Sequence, residues 1–180
     1  DTKRKNGAMK LTNLRRMEDL EETITDIPEL SKPLSIVNVA KSFNQAYYNG
    51  NPDFYTLPSP NEEFALLPYI KNSLKNSKDN QLKSYISDDG SVARITTFIK
   101  DENGEKMKSI ETQLRNKINK IFPSPKYEVI ITGKSLVFQK GTKYLLDNLL
   151  SSLLFAFLIT AGLVAIMFRS FKMVLVSIIP

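Results

Sequence analysis

The chain contains no cysteine and no histidine. Without cysteine there is no disulfide framework and no thiol chemistry. Without histidine the commonest general base and the commonest metal ligand are gone. A Ser-His-Asp triad or a His-based zinc site would need a second chain. No charge of one sign dominates either: 25 Lys and Arg face 19 Asp and Glu, a formal net charge of +6. The densest basic stretches are "DTKRKN" and "YIKNSLKNSKDNQLKS". Lysines interleaved with Asn and Ser make a solvated face, and no base-stacking module accompanies them, so no nucleic-acid partner is expected. The opening "DTKRKNG" lacks an initiator Met and the charged-then-apolar pattern of a signal peptide, so the sequence reads as a piece of something longer.

What is present is concentrated near the C-terminus. Leu149 to Phe168 reads LLSSLLFAFLITAGLVAIMF, with no charged residue. A bilayer core needs about 20 apolar residues as a helix, and this run has that length. A core helix of a soluble protein rarely stays uncharged on every face, because one side meets water. Lys140, Lys143 and Asp147 precede the run and Arg169 and Lys172 follow it, so local charge does not orient it. Ser152, Ala156 and Thr160 share one helical face, and Ala161 and Ala165 repeat the spacing beside it, which suits packing among other membrane helices. After "RSFK" the run "MVLVSIIP" reads as the opening of a second spanning helix.

The polar part reads as two similar halves. Thr12 to Ile27 places Leu14, Met17, Leu20, Ile24 and Ile27 at helical spacing, with Thr12 or Asn13 as N-cap and Pro28 as the stop. "PLSIVNV", Pro33 to Val39, is rich in β-branched residues and predicts a strand. In the second half, Ala93 to Asp101 alternates as a strand, Glu105 to Phe122 carries Met107, Ile110, Leu114, Ile118 and Ile121 on one helical stripe, and "KYEVIIT" predicts a closing strand. Two split βαβ units in sequence predict an α+β, ferredoxin-like sandwich. Between them lies an insertion, about residues 40–89, with a short helix at "AKSFNQAYY" and a helix over Glu62 to Lys75. Tyr47, Tyr48, Phe54 and Tyr55 gather near its loop; they suit contact with a hydrophobic substrate or a neighbouring subdomain, or simply a small satellite core.

Catalysis finds no footing. Asp88-Asp89-Gly90 reads as a turn, and Gly133-Lys134-Ser135 lacks the spaced glycine of a phosphate loop, with Glu128 at the matching position. No enzyme activity, catalytic residue, metal site or bound cofactor is expected.

A strand ending in "ITG", a basic connector, a spanning helix and then "FRSFKMVLVSIIP" resembles the RND superfamily of transporters, in its bacterial MMPL-type exporter branch. The elements carrying the resemblance are Thr132-Gly133, Leu149 to Phe168, Phe168-Arg169-Ser170 and Val174 to Pro180, with "SIVNVAKSFNQ" as a further likeness. The resemblance implies an extracytoplasmic porter domain over 1–145, a transmembrane helix over 146–170 and the start of a further one over 171–180. It implies the inner membrane, a periplasmic porter domain, and Arg169 and Lys172 on the cytoplasmic side. The implied partners are the lipid bilayer, a lipid or other amphiphilic substrate, a second porter domain and the remaining membrane helices. A proton or sodium gradient would drive the full-length protein through acidic residues that this chain does not contain. Thr132, Gly133 and Gly141 are the candidate coupling element between porter domain and membrane. The competing reading is the extracellular sensor domain of a signalling receptor, which would continue after "MFRSFK" into a charged linker rather than an apolar run.

Overall fold

The computed structural model describes residues 1–76, 84–100 and 102–168. It divides into two units, Asp1–Ile130 and Ile131–Pro180. Among the described residues the first holds four α-helices: α1 (Leu11–Thr25), α2 (Ile36–Tyr47), α3 (Glu63–Asn76) and α4 (Gly104–Ile121). The second holds α5 (Lys134–Phe168).

Helix α1 forms on the predicted stripe, and Leu14, Met17, Leu20 and Ile24 are buried together with Leu11. Its N-cap is Lys10 rather than Thr12 or Asn13, and the side chain of Lys10 makes no capping bond. The cap is supplied from α3 instead, where Glu63 Oε1 accepts the Leu11 N–H at 3.3 Å. Asn13, drawn inside the helix, donates from Nδ2 to the Gly7 carbonyl at 2.7 Å. Helix α4 packs on α1. Asn103 caps it, accepting from Lys106 N at 2.9 Å. Ile110 and Ile118 of its stripe are buried, while Met107, Leu114 and Ile121 are half-buried.

The core joins Met9, Leu14, Met17, Ile36, Val37, Ala40, Leu67 and Ile70, with Phe43, Ile95 and Phe122 among the half-buried side chains around it. Burying each aliphatic side chain of this kind stabilises by about 1.5–3 kcal/mol. In α3, Leu66, Leu67 and Ile70 turn inward, whereas Phe64 is 87% exposed.

The ferredoxin-like α+β expectation is overturned. Among the described residues there is no strand and no sheet, only the isolated antiparallel bridges Leu30 to Ile99, Leu34 to Thr96 and Ile86 to Ala93. The first half fails as βαβ because Pro33–Val39 does not extend. Ser35 caps a helix there, accepting from Val37 N at 2.9 Å while Asn38 Oδ1 accepts from Ser35 N at 2.7 Å. That reciprocal capping box satisfies free helix-end donors and starts α2 inside the predicted strand. The second half fails for a different reason. The segment from Ala93 is extended and meets residues 29–34 through bonds such as Leu34 N to Thr96 O at 2.8 Å, but no continuous ladder forms. Asp101, its last predicted residue, lies outside the described residues. The "KYEVIIT" segment is likewise without strand assignment; Glu128 N donates to Asp1 O at 3.0 Å.

The first residues are tied to the turn at residues 87–91. Thr2 N donates to Ser91 O, Asn6 N to Asp89 O and Ala8 N to Gly90 O, at 2.9, 2.9 and 3.0 Å. Gly90 sits at φ +68°, and a Cβ there would lie 3.0 Å from Asn6 Cα, so both conformation and close approach call for glycine.

Candidate functional site

Helix α2 and the loop after it position the four aromatics. Tyr47 ends the helix and Tyr48 is its C-cap. A 3-10 turn, Pro52–Phe54, then brings Phe54 back onto Tyr48. Their rings stack with centroids 3.8 Å apart and planes 15° apart, and Tyr47 meets Tyr48 edge-on at 5.3 Å. Buried Asn44 holds the loop down, donating from Nδ2 to the carbonyls of Phe54 and Thr56 at 3.2 and 3.1 Å. The Tyr48 hydroxyl donates to Glu62. Glu62 also accepts from Ser59 N at 2.8 Å. The Tyr48 hydroxyl, followed by Ser59, holds the Glu62 carboxyl below its ordinary range.

Three of the four predicted aromatics are therefore brought together, and Tyr55 is not. Its ring faces Lys41, with Nζ 6.0 Å from the centroid. Tyr48 and Phe54 are half-buried, while Tyr47 and Tyr55 present their rings to the surface.

An open cleft of ≈ 420 Å³ lies between α1 and the start of α2, and the sequence reading missed it. Glu18, Glu21, Glu22 and Asp26 of α1, Lys32, and Lys41 of α2 line it. Lys41 Nζ pairs with Glu18 at 2.6 Å. Glu21 is buried, and its carboxyl accepts from the Ser35 hydroxyl. A signal was available: Glu21 falls on the apolar stripe of Leu14, Met17 and Ile24, where a carboxylate is out of place. No group of three or more Asp or Glu residues is arranged to hold a metal ion among the described residues.

In the second unit, Thr132 and Gly133 precede the helix, and Gly133 is at φ +155°. Val137 N donates to Gly133 O at 3.0 Å, so the helical bonding begins there. Gly141 lies inside α5, which runs unbroken through it. At 35 residues, α5 is about 52 Å long, well beyond the ~30 Å hydrocarbon core. Its stretch Lys134–Met167 is long and apolar enough to cross a membrane, with mean hydropathy 2.5 and none of its most apolar window buried. Two hydroxyls within it are satisfied by their own helix: Ser152 Oγ donates to Leu149 O and Thr160 Oγ1 to Ala156 O, both at 2.9 Å. Satisfying polar groups internally is what hydrocarbon requires. Arg169, Lys172 and the predicted second helix over 171–180 lie outside the described residues.

A chain with a helical unit and a helix long and apolar enough to cross a membrane fits a membrane-associated protein. The family model described as "MMPL family" matches residues 5–180, and the chain belongs to that family, one of membrane transporters. Neither the curated proteins nor the solved structures contain a match to the chain.

Proposed function

We propose that the chain forms part of an exporter of lipids or other hydrophobic or amphiphilic compounds. In this reading the unit Asp1–Ile130 lies outside the cytoplasm as porter domain and lines part of the substrate path. The charge-free half of α5, from Leu149 to Phe168, crosses the inner membrane, and Arg169 faces the cytoplasm. A second porter domain and further membrane helices complete the transporter, and a proton or sodium gradient drives it. The observation that carries the reading is α5 itself, whose Leu149, Leu153, Phe155, Leu158 and Leu163 are all more than half exposed within a chain of a transporter family. Apolar side chains at that density need lipid or neighbouring helices to cover them.

Two local features support finer parts of the proposal. The exposed ring of Tyr47 on the Tyr48–Phe54 stack, and separately that of Tyr55, offer apolar surface to a substrate or a neighbouring subdomain. An α5 that stays helical through Gly141 suits a coupling element reaching back to Gly133 and Thr132. The test is export of a fluorescent lipid by cells carrying the full-length protein. Tyr47→Ala with Tyr55→Ala should lower export at unchanged protein level, since both rings are exposed and hold little of the core. Leu158→Arg should abolish it, because a charge at the centre of a spanning helix costs about 2.5–3.5 kcal/mol on insertion. Export of the lipid at wild-type rate by both variants would refute the proposal.

A further inference from the structure

Among the described residues Glu21 is the one buried acidic side chain, 6% exposed on the core-facing stripe of α1. Its Oε1 accepts from the Ser35 hydroxyl. Ser35 is 1% exposed and is the N-cap of α2. Ser35 Oγ accepts in turn from Val37 N at 2.9 Å. The hydroxyl has a single hydrogen, and it is committed to Glu21. Carboxyl and helix cap thus form one linked unit across the α1–α2 joint.

The charged groups facing this unit come from every element around the cleft. Glu18, Glu22 and Asp26 stand on α1, Lys32 precedes α2, and Lys41 stands on α2. Lys41 is the cation that acts on Glu21, and it is also held by Glu18 at 2.6 Å. The Ser35 hydroxyl donates to the Glu21 carboxyl, and an ionised carboxylate can accept about four hydrogen bonds.

We propose that the α1–α2 joint is a proton-operated latch, closed when Glu21 is protonated and loosened when it is ionised. A neutral carboxyl is buried at little electrostatic cost. An ionised one must recruit water through the cleft it lines, which competes with the Ser35 cap and frees the first turn of α2. Burial pushes the Glu21 carboxyl up from its ordinary 4.5, against the opposing pulls of Ser35 and Lys41. A raised value means that its contribution to stability is fully present below 4.5 and is lost as pH rises through the raised value. This device is independent of the transport reading.

The experiment is hydrogen exchange at the amides of Val37 to Ala40 in the full-length protein in lipid nanodiscs, from pH 4.5 to about pH 8, spanning the window in which a raised carboxyl titrates. Glu21→Gln keeps an acceptor for Ser35 without the charge. The ratio of protection, Glu21→Gln over wild type, should be near one at the acid end and climb several-fold towards neutral pH. A ratio constant with pH would overturn the latch, because a merely structural role has no pH profile. Lys41→Met is the second variant, needed if Glu21→Gln does not fold. Removing the cation raises Glu21 further, so the loosening midpoint should move to higher pH, and a midpoint that stays in place also overturns the proposal.

Discussion

The Tyr127 hydroxyl donates to Asn13 Oδ1 at 2.8 Å, joining residues 114 positions apart. Tyr127 also meets Phe122 edge-on at 5.4 Å, and the Arg16 guanidinium lies 5.1 Å from its ring centre. Tyr127, beyond the end of α4, thereby anchors the end of the globular unit to α1. Tyr127→Phe removes the donor and leaves the Oδ1 of a buried asparagine unsatisfied, which should cost about 1–3 kcal/mol. Asn13→Ala should cost more, because the bond to Gly7 O goes as well. Urea midpoints of the full-length protein in micelles, with unchanged denaturant slope, are the check.

The buried stripe of α4 gives a second expectation. Ile110 is 4% exposed against α1, so Ile110→Ala should cost about 2–5 kcal/mol. Lys117→Ala, on the exposed face, should stay within about 0.5 kcal/mol. Equal midpoints for the two would mean that α4 presents a different face to α1.

Acid should act on the turn at residues 87–91. Asp89 accepts from Ser87 Oγ, Ser91 N and Ser91 Oγ at 2.6, 3.1 and 2.9 Å. The Ser87 hydroxyl, then Ser91, hold its carboxyl down at about 2, from an ordinary 3.8. A lowered value means stability that is present above 3.8 and lost as pH falls through about 2. Wild type should therefore exceed Asp89→Asn in stability above pH 3.8, and the gap should close towards pH 2. A gap that persists at pH 2 would assign the effect of the substitution to something other than charge.

The part of the fold that periodicity could reach was legible. Leu14, Met17, Leu20 and Ile24 mark α1, Ile110 and Ile118 mark α4, and the absence of charge from Leu149 to Phe168 marks the apolar half of α5. The predicted sheet fails because local capping outweighs β-branched composition. Ile36, Val37 and Val39 favour a strand, yet Ser35 and Asn38 bracket them as a capping box, and that local satisfaction of backbone donors decides for helix. The extended stretch from Ala93 keeps its predicted alternation, but its bonds to residues 29–34 stop at isolated bridges. At the aromatic site, sequence proximity gathered Tyr47, Tyr48, Phe54 and Tyr55, but it could not separate Tyr55, whose ring lies by Lys41 of α2 rather than on the Tyr48–Phe54 stack. The Glu21 cleft was written in the sequence as a carboxylate on an apolar stripe, and its partner Ser35 is a tertiary contact that no spacing reveals.

Coupling through α5 is tested by breaking its continuity. A flexible Gly-Ser segment inserted after Gly141 interrupts a helix that otherwise runs from Lys134 to Phe168. Longer loops cost little entropy, so a passive tether should tolerate the insertion. A coupling rod should lose export while insertion into the membrane stays normal. Wild-type export with the insertion in place would end the coupling proposal.

The placement of the two units across the membrane is tested directly by single-cysteine labelling in a full-length protein from which any cysteines outside this cysteine-free chain have been replaced. In right-side-out vesicles carrying the full-length protein, an impermeant thiol reagent should label Asn116→Cys on the exposed face of α4 and leave Leu158→Cys in α5 untouched until detergent is added. Labelling of Asn116→Cys only after the vesicles are opened, or of Leu158→Cys in intact vesicles, would contradict it.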